Sequence, residues 1–422
     1  MFFYIILWCC LLFYYIRRDK NVSLGIVLLL LYTIQSFVAL LVYTAPQSDY
    51  KGLDMQIWPF FYLFVLIYIS LKPILDLKEC SLSSIEIPNS KINTALCVFF
   101  SLFAIISIIN IWPQIGNGLQ LMMVSDNEGI LDVYGDSTAI KSTQRSFSGI
   151  FSFQGVISNM SSYIIPLLFF TYYVKKERSR LVLVLLSIAL LQGPLTGIAN
   201  ASRLQLIDQI FVFFLLFFFF RPYIRQKDKR TFKWGFLILI SLLFLVLARI
   251  TIARTSPRTY TGDTLYNIES YFASGPINFN AYCMDANGTR EGYRVAPLFL
   301  QIMGKESLTP EQVRFKFQHM KIDSSSFTTY VGDFVLDFGP VATFFIFLSL
   351  SVLFSLMLRN RRSLNYGQVT VVFIIVKFCS GYYQFGFSNV GGNLGFLMLL
   401  TLAVLFNSRK WLNNNSEIIR RQ

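Results

Sequence analysis

Four arginines stand at the ends of apolar runs in the middle of this 422-residue chain. Arg203 closes the short polar stretch Ala199-Asn200-Ala201-Ser202-Arg203, and Arg249, Arg254 and Arg258 follow a later apolar run, spaced by five and four residues. A guanidinium stays charged and offers a planar fork of donors that matches the oxygens of a phosphate or a carboxylate. Asp333 and Asp337 stand four apart, hence on one helical face, just before Gly339-Pro340. A carboxylate there could take a proton from a hydroxyl, and Glu269, Asp263 and His319 are further bases on the same side of the chain's topology. Arginines grouped in this way would suit a pyrophosphate or another anionic ligand.

Other candidates have an equally ordinary reading. Lys377 lies within the apolar stretch Val371 to Phe387, where a lysine needs a carboxylate or a wet cavity. Asp208 and Asp337 are its possible partners, and a structural ion pair explains it as well as a functional one. His319, the chain's single histidine, shares a helical side with Phe315 and Ile322, which favours packing over proton transfer. Asp126-Asn127-Glu128 could hold a divalent ion or be solvated. Each arginine alone also fits snorkelling to lipid headgroups.

Several chemistries are excluded. Six cysteines with no C-x-x-C spacing and one histidine leave too few ligands for a His-based zinc or di-iron centre and offer no disulfide framework, so no cofactor is expected. No G-x-x-x-x-G-K-[ST], H-E-x-x-H or G-x-S-x-G occurs, so any reaction must use energy already stored in its substrate.

The elements that must position these residues are membrane helices. The chain is 54% hydrophobic and 14% charged, which departs from water-soluble folds and predicts an all-α polytopic membrane protein forming a single integral domain over 1–422. About eleven apolar runs are long enough to cross ~30 Å of hydrocarbon. They fall near 1–16, 24–43, 57–71, 92–112, 148–174, 181–199, 204–220, 233–253, 331–358, 368–388 and 392–407. The first is read as a retained helix. Of the 37 Lys and Arg, 23 lie in loops of one parity and at the C-terminus, so those loops are cytoplasmic, the N-terminus is outside and the C-terminus inside.

Two outside segments are long, 113–147 and 254–330. Within the second, Thr309-Pro310-Glu311-Gln312 is a capping box with Pro at the first helical position, followed by Val313, Phe317 and Met320 on one side. Asp263 to Ser274 predicts another short helix, with Leu265, Ile268 and Phe272 together. Gly193-Pro194 and Gly197 should break the sixth run near its outer end. Arg249 and Arg254 share a face only if their helix ends between them. The outside location matters, because positive charge should be depleted there, and four arginines at the outer ends of the sixth to eighth runs stand against that bias.

Ser202-Arg203-Leu204, Tyr271-Phe272-Ala273-Ser274-Gly275-Pro276-Ile277 and the run Phe327 to Pro340, with one large outside loop before the last three spans, resemble the bacterial Wzy oligosaccharide repeat-unit polymerases of O-antigen and capsular polysaccharide. The resemblance implies a GT-C-like integral membrane glycosyltransferase of the inner membrane, acting at its periplasmic face. It would move a growing glycan from undecaprenyl pyrophosphate to a new lipid-linked repeat unit, without a metal. Membrane lipid, a flippase and a chain-length regulator are the implied partners; nucleic acid is not. On this reading Arg203 and Arg254, backed by Arg249 and Arg258, neutralise the pyrophosphate. Asp333 is the first choice of base, with Asp337, Asp263 and His319 behind it. Tyr271, Tyr330 and Asn280 would line the glycan groove, and Lys377 would sit deeper.

Two other functions remain open: an O-antigen ligase delivering glycan to lipid A, and a non-enzymatic polysaccharide flippase. A flippase would more often show two similar halves and short loops, which this chain lacks. The net charge of +14 divides unevenly. Cytoplasmic segments hold 23 basic and 7 acidic residues, the rest 14 basic and 16 acidic. The outer arginines thus stand on a slightly acidic background.

Overall fold

The structure is a computed structural model that describes residues 1–77, 79, 82–88, 90–124, 150–255, 264–305, 308, 310–323, 326–359, 362–407 and 416–421. In chain order its elements are α1 (Phe2–Asp19), α2 (Leu24–Thr44), α3 (Ile57–Leu75), β1 (Ser84–Pro88), α4 (Ser90–Asn110), α5 (Trp112–Val124), α6 (Ile150–Tyr173), α7 (Arg180–Leu190), α8 (Gln192–Ala199), α9 (Arg203–Phe220) and α10 (Gln226–Thr255). There follow α11 (Thr264–Asn278), α12 (Pro297–Ile302), α13 (Pro310–Lys316), α14 (Thr329–Leu358), β2 (Ser363–Asn365), α15 (Tyr366–Cys379), α16 (Val390–Asn407) and β3 (Ser416–Arg420).

Each of the eleven apolar runs contains at least part of a helix, and among the described residues nine helices are long and apolar enough to cross a membrane. Outside the nine are α1, which carries Arg17, Arg18 and Asp19 in its last turn, and α15, which has 14 residues. The chain is a mostly helical, multi-pass membrane protein. α2 shows why: Leu30, Ile34, Phe37 and Leu41 form an exposed apolar stripe, while Gln35 and Ser36 are buried. Polar side chains inward and apolar ones outward is the arrangement a lipid solvent selects.

The chain divides into two compact units. The first comprises Met1–Ser81, Asp263–Asn360 and Ile375–Asn393. Its core joins aromatic side chains of α1, α2 and α3, with Trp8 stacked on Tyr32 at 5.2 Å and Tyr4 on Phe60 at 4.9 Å. α11 packs on α2 through Tyr266, Ala273 and Ile277 against Ala39 and Val42. α3 and α14 run parallel. The Tyr62 hydroxyl donates to Pro340 O at 2.5 Å and the Ser351 hydroxyl to Ile69 O at 2.7 Å. Parallel packing is what two odd-numbered spans require. The ends of α1, α3 and α14 that carry Arg18, Lys72 and Arg359 lie together, with Arg18 Nη1 3.7 Å from Asp76 Oδ1.

The second unit comprises Leu82–Gly262, Arg361–Ile374 and Leu394–Gln422. Its helices α6, α9 and α10 share a cluster of phenylalanines, in which Phe232 lies against Phe170, Phe217 and Tyr173. At one end β1 pairs in parallel with β2 and antiparallel with β3, a small sheet that no apolar periodicity announced. Nearby, Arg178 and Arg225 both bind Asp228 Oδ2, at 2.7 and 2.8 Å. Toward the other end Ile198, Leu206, Leu243 and Ile250 close the core.

Four expectations need correction. The segment 113–147 begins as helix α5 rather than loop. The apolar run 368–388 is helical only to Cys379, because the chain turns at Ser380 and Gly381 and continues as an irregular buried segment. α11 buries Tyr266, Ala273 and Ile277, whereas Ile268 is exposed, so the apolar face is not the one that contained Ile268. α10 continues to Thr255, so the condition for Arg249 and Arg254 to share a face, a helix end between them, is not met. The break expected in the sixth run at Gly193-Pro194 reduces to a one-residue interruption at Leu191, between α7 and α8, whose backbone stays helical at φ −75 and ψ −10.

Candidate functional site

The first unit assembles a buried cluster of Asp333, Asp337, Arg290 and Arg294 around a broken helix. Gly339 adopts φ 78 and ψ 165, a conformation essentially confined to glycine, so α14 is two helices: ten residues from Thr329 to Phe338, then the long apolar span from Pro340. Pro340 has no N–H, which leaves Leu336 O without its helical donor. Two further carbonyls at the break are also taken up from outside the backbone ladder. Gly339 O accepts the Thr343 hydroxyl at 2.7 Å, and Pro340 O that of Tyr62. Leu336 O accepts the backbone N–H of Arg290 at 2.6 Å. The break therefore recruits the loop that carries the arginines.

That loop is shaped by residues in left-handed backbone, Asn287, Gly288, Glu291 and Gly292. Its next turn points N–H groups at the first half of α14: Arg294 N and Val295 N donate to Asp337 Oδ2 at 3.0 and 2.7 Å. Asn393 ties the loop's far side, donating to Val295 O and Phe387 O at 2.8 Å each. A strap from α13 to Ile322 covers it. Lys316 pairs with Glu291 at 2.9 Å, Lys321 with Asp285, and Asn287 Nδ2 donates to His319 O at 3.1 Å.

The four charged groups are used unequally. Asp333 is fully buried, and both its oxygens are engaged. Oδ1 takes Arg294 Nε at 2.8 Å and the Thr328 hydroxyl at 3.2 Å, while Oδ2 takes Phe385 N–H at 2.7 Å. Arg294 also donates to Gln384 Oε1 at 3.1 Å. Asp337 is 2% exposed, and its Oδ1 has no partner. Arg290 is 1% exposed; its Nη2 reaches Asp323 O at 3.5 Å, and Nε and Nη1 have no partner. Burial, and then the neighbouring Arg294 charge, push the Arg290 guanidinium below its ordinary value against the pull of Asp333 and Asp337. The unused capacity is thus two guanidinium donors and one carboxylate oxygen. Such donors can bind an anion, and such an oxygen can accept a proton.

The sequence-predicted residues distribute as follows. Asp333 and Asp337 lie in the cluster. Tyr330 is fully buried against Phe347 and Phe378, its hydroxyl facing Cys379 Sγ at 3.9 Å, so it lines no groove. Asn280 is buried in a single π-helical turn and serves the backbone of Gln56, accepting from its N at 3.0 Å and donating to its O at 2.6 Å. Tyr271 is half-buried, its ring edge-on to Phe327 at 4.8 Å. His319 is exposed beyond the end of α13 and sits over Gly288; it is not packed in a core. Lys377 is buried in the last turn of α15, not at a helix centre, with its stem against Gly386.

Arg203 begins α9 and Arg249 precedes Ile250 near the end of α10, so both lie at the same end of the second unit's core. The Arg254 side chain, Arg258, Asp263 and the Asp126-Asn127-Glu128 stretch lie outside the described residues. Sequence reasoning missed Arg290 and Arg294. Their signal was Arg-x-x-x-Arg with Gly288 just before the pair and Gly292 within it, in a loop read only for its helices.

No family model, curated protein or solved structure matches the chain.

Proposed function

We propose that the chain is a membrane glycosyltransferase of the Wzy repeat-unit polymerase type, which joins undecaprenyl-pyrophosphate-linked oligosaccharides at the periplasmic face of the bacterial inner membrane. The observation that carries the reading is the buried Arg290, whose unpartnered Nε and Nη1 accompany the unpaired oxygen of Asp337. The donor brings its own activation, since pyrophosphate is a good leaving group.

Asp337 Oδ1 accepts the proton of the acceptor hydroxyl as that oxygen bonds to the anomeric carbon. The bond from that carbon to the pyrophosphate breaks, and the electron pair leaves with the phosphate. Arg290 neutralises the charge developing there, in a site where low dielectric strengthens the interaction. The base role moves from Asp333 to Asp337 because Asp333 has no oxygen to spare. Asp333 and Arg294 instead hold the loop and the half-helix in register. The test is deletion of the gene followed by complementation and gel analysis of surface glycan. Loss of the long-chain ladder with a single repeat unit still attached supports a polymerase. Accumulation of lipid-linked polymer that never reaches lipid A points to the ligase reading. Complementation to a full ladder by both Arg290→Met and Asp337→Asn would remove this site.

A further inference from the structure

At the opposite end of the first unit, a cavity of about 480 Å³ opens between the ends of α3 and α14. Its lining includes Tyr68, Lys72, Val352, Ser355, Leu356 and Arg359. Volumes of this order hold small ligands. The cavity has two chemical levels. Val352 and Leu356 are exposed apolar side chains one turn apart on α14, and Leu348 extends the same face. One turn beyond Ser355, Arg359 ends the helix, and Lys72 faces the cavity from α3; both cations are exposed. The one acidic residue in the lining, Asp76, has Arg18 within 3.7 Å, and Arg18 is itself paired with Asp19 at 2.7 Å. Summed over Arg18, Asp19, Lys72, Asp76 and Arg359, the rim keeps a net positive charge.

We infer that this cavity is a binding site for an anionic phospholipid, its acyl chain along the α14 face and its phosphate between Lys72 and Arg359. The occupant follows from charge complementarity and from the order of the two levels, apolar within the span and cationic at its end. A zwitterionic lipid would satisfy the apolar wall but present its own cation to Lys72 and Arg359. A soluble anion would satisfy the rim and leave the apolar wall uncovered. Basic pockets between membrane helices at the cytoplasmic leaflet bind anionic headgroups by the same logic.

The test uses the full chain, purified in mild detergent and stripped of lipid, titrated with phosphatidylglycerol or phosphatidylcholine and read by native mass spectrometry. Each cation near an anionic headgroup contributes about a factor of five, so wild type should prefer phosphatidylglycerol by about thirtyfold. Lys72→Gln with Arg359→Gln should lose that preference, whereas Lys316→Gln, at the other end of the unit, should keep it. Equal binding of the two lipids by wild type, or a preference retained in the double variant, overturns the inference. Displacement of the lipid by millimolar inorganic phosphate alone would also overturn it, because the acyl chain would then contribute nothing. A photoactivatable phosphatidylglycerol keeps the question answerable if the double variant does not fold. Label on peptides covering 68–77 or 348–359 of wild type supports the site, and label confined to other peptides refutes it.

Discussion

Arg290 and Arg294 lie four residues apart on one loop, yet their removal should carry very different costs. Arg294 Nε is 2.8 Å from Asp333 Oδ1, with Asp333 wholly enclosed. Removing one partner of a buried ion pair costs ~3–5 kcal/mol, because the other charge stays buried. Asp333 would keep the Thr328 hydroxyl and the Phe385 N–H, which places Arg294→Met near the lower end, at ~3 kcal/mol. Arg290 closes no ion pair among the described residues. Its removal forfeits through-space attraction to two carboxylates but relieves two buried donors that lack partners, each costing ~1–3 kcal/mol. Its backbone bond to Leu336 O survives any side-chain change. The opposing contributions should leave Arg290→Met within ~1 kcal/mol of wild type. Equilibrium unfolding in mixed detergent micelles, followed by tryptophan fluorescence, measures both. The Arg294→Met and Asp333→Leu double variant should recover part of the loss, a coupling of ~2 kcal/mol. Wild-type stability in Arg294→Met, or an equal loss in Arg290→Met, would refute the division into a structural and an available arginine.

Gly339→Ala forces a side chain into φ 78, ψ 165 and should cost ~1–3 kcal/mol in the same unfolding assay; an unchanged midpoint would mean the break lies elsewhere. Asn280→Ala removes two hydrogen bonds to the Gln56 backbone. It should lower stability by ~1–3 kcal/mol while leaving the glycan ladder intact; a shortened ladder at wild-type protein level would restore Asn280 to the substrate groove. Lys175, fully buried in the second unit with Glu417 at 3.9 Å, is held below the ordinary lysine value by burial, despite that carboxylate. The unfolded chain therefore binds the proton more readily, so stability should rise with pH in the window below ~10.4. Lys175→Met should flatten this dependence of the melting temperature in the pH range just below the ordinary lysine value, and an equal slope in both proteins would discount the burial.

Apolar length located the nine helices that, among the described residues, are long and apolar enough to span, because a helix must be apolar along its whole length to sit in hydrocarbon, and loops between such runs are conspicuous. The same criterion failed on 368–388. Tyr382, Tyr383, Phe385 and Phe387 are as buried as helix residues, but they belong to an irregular segment whose backbone is satisfied by protein: Thr329 N and Tyr330 N donate to Tyr383 O and Gly381 O. Hydropathy reports burial, not conformation. A break after Cys379 was visible only as Ser380-Gly381, where a Cβ on Gly381 would collide with Gln384 O. That error displaced Lys377 from a helix end to a helix centre. The arginines were weighed by the opposite bias. Those at the ends of apolar runs drew attention because they challenge the positive-inside pattern. Arg290, in a polar loop, challenges no such pattern, and its burial comes with α14, which begins about forty residues later.

What the sequence did contain was the cause of that burial. Gly339-Pro340 stands two residues after Asp337, and a helix that loses the N–H of residue 340 must find a donor for Leu336 O. In a membrane protein that need cannot be met by bulk water at depth, so another backbone segment has to supply it. The donor is the N–H of Arg290, and four residues along the same loop the N–H groups of Arg294 and Val295 reach Asp337. Once those backbone bonds fix the loop, the Arg290 and Arg294 side chains enter the same enclosure as the two carboxylates. Only one of the two arginines can then pair at close range with Asp333. The proline thus does more than end a span. By demanding a donor it places a second guanidinium that closes no ion pair among the described residues and feels Asp333 and Asp337 only through space, an arrangement that leaves donors for an anion from outside.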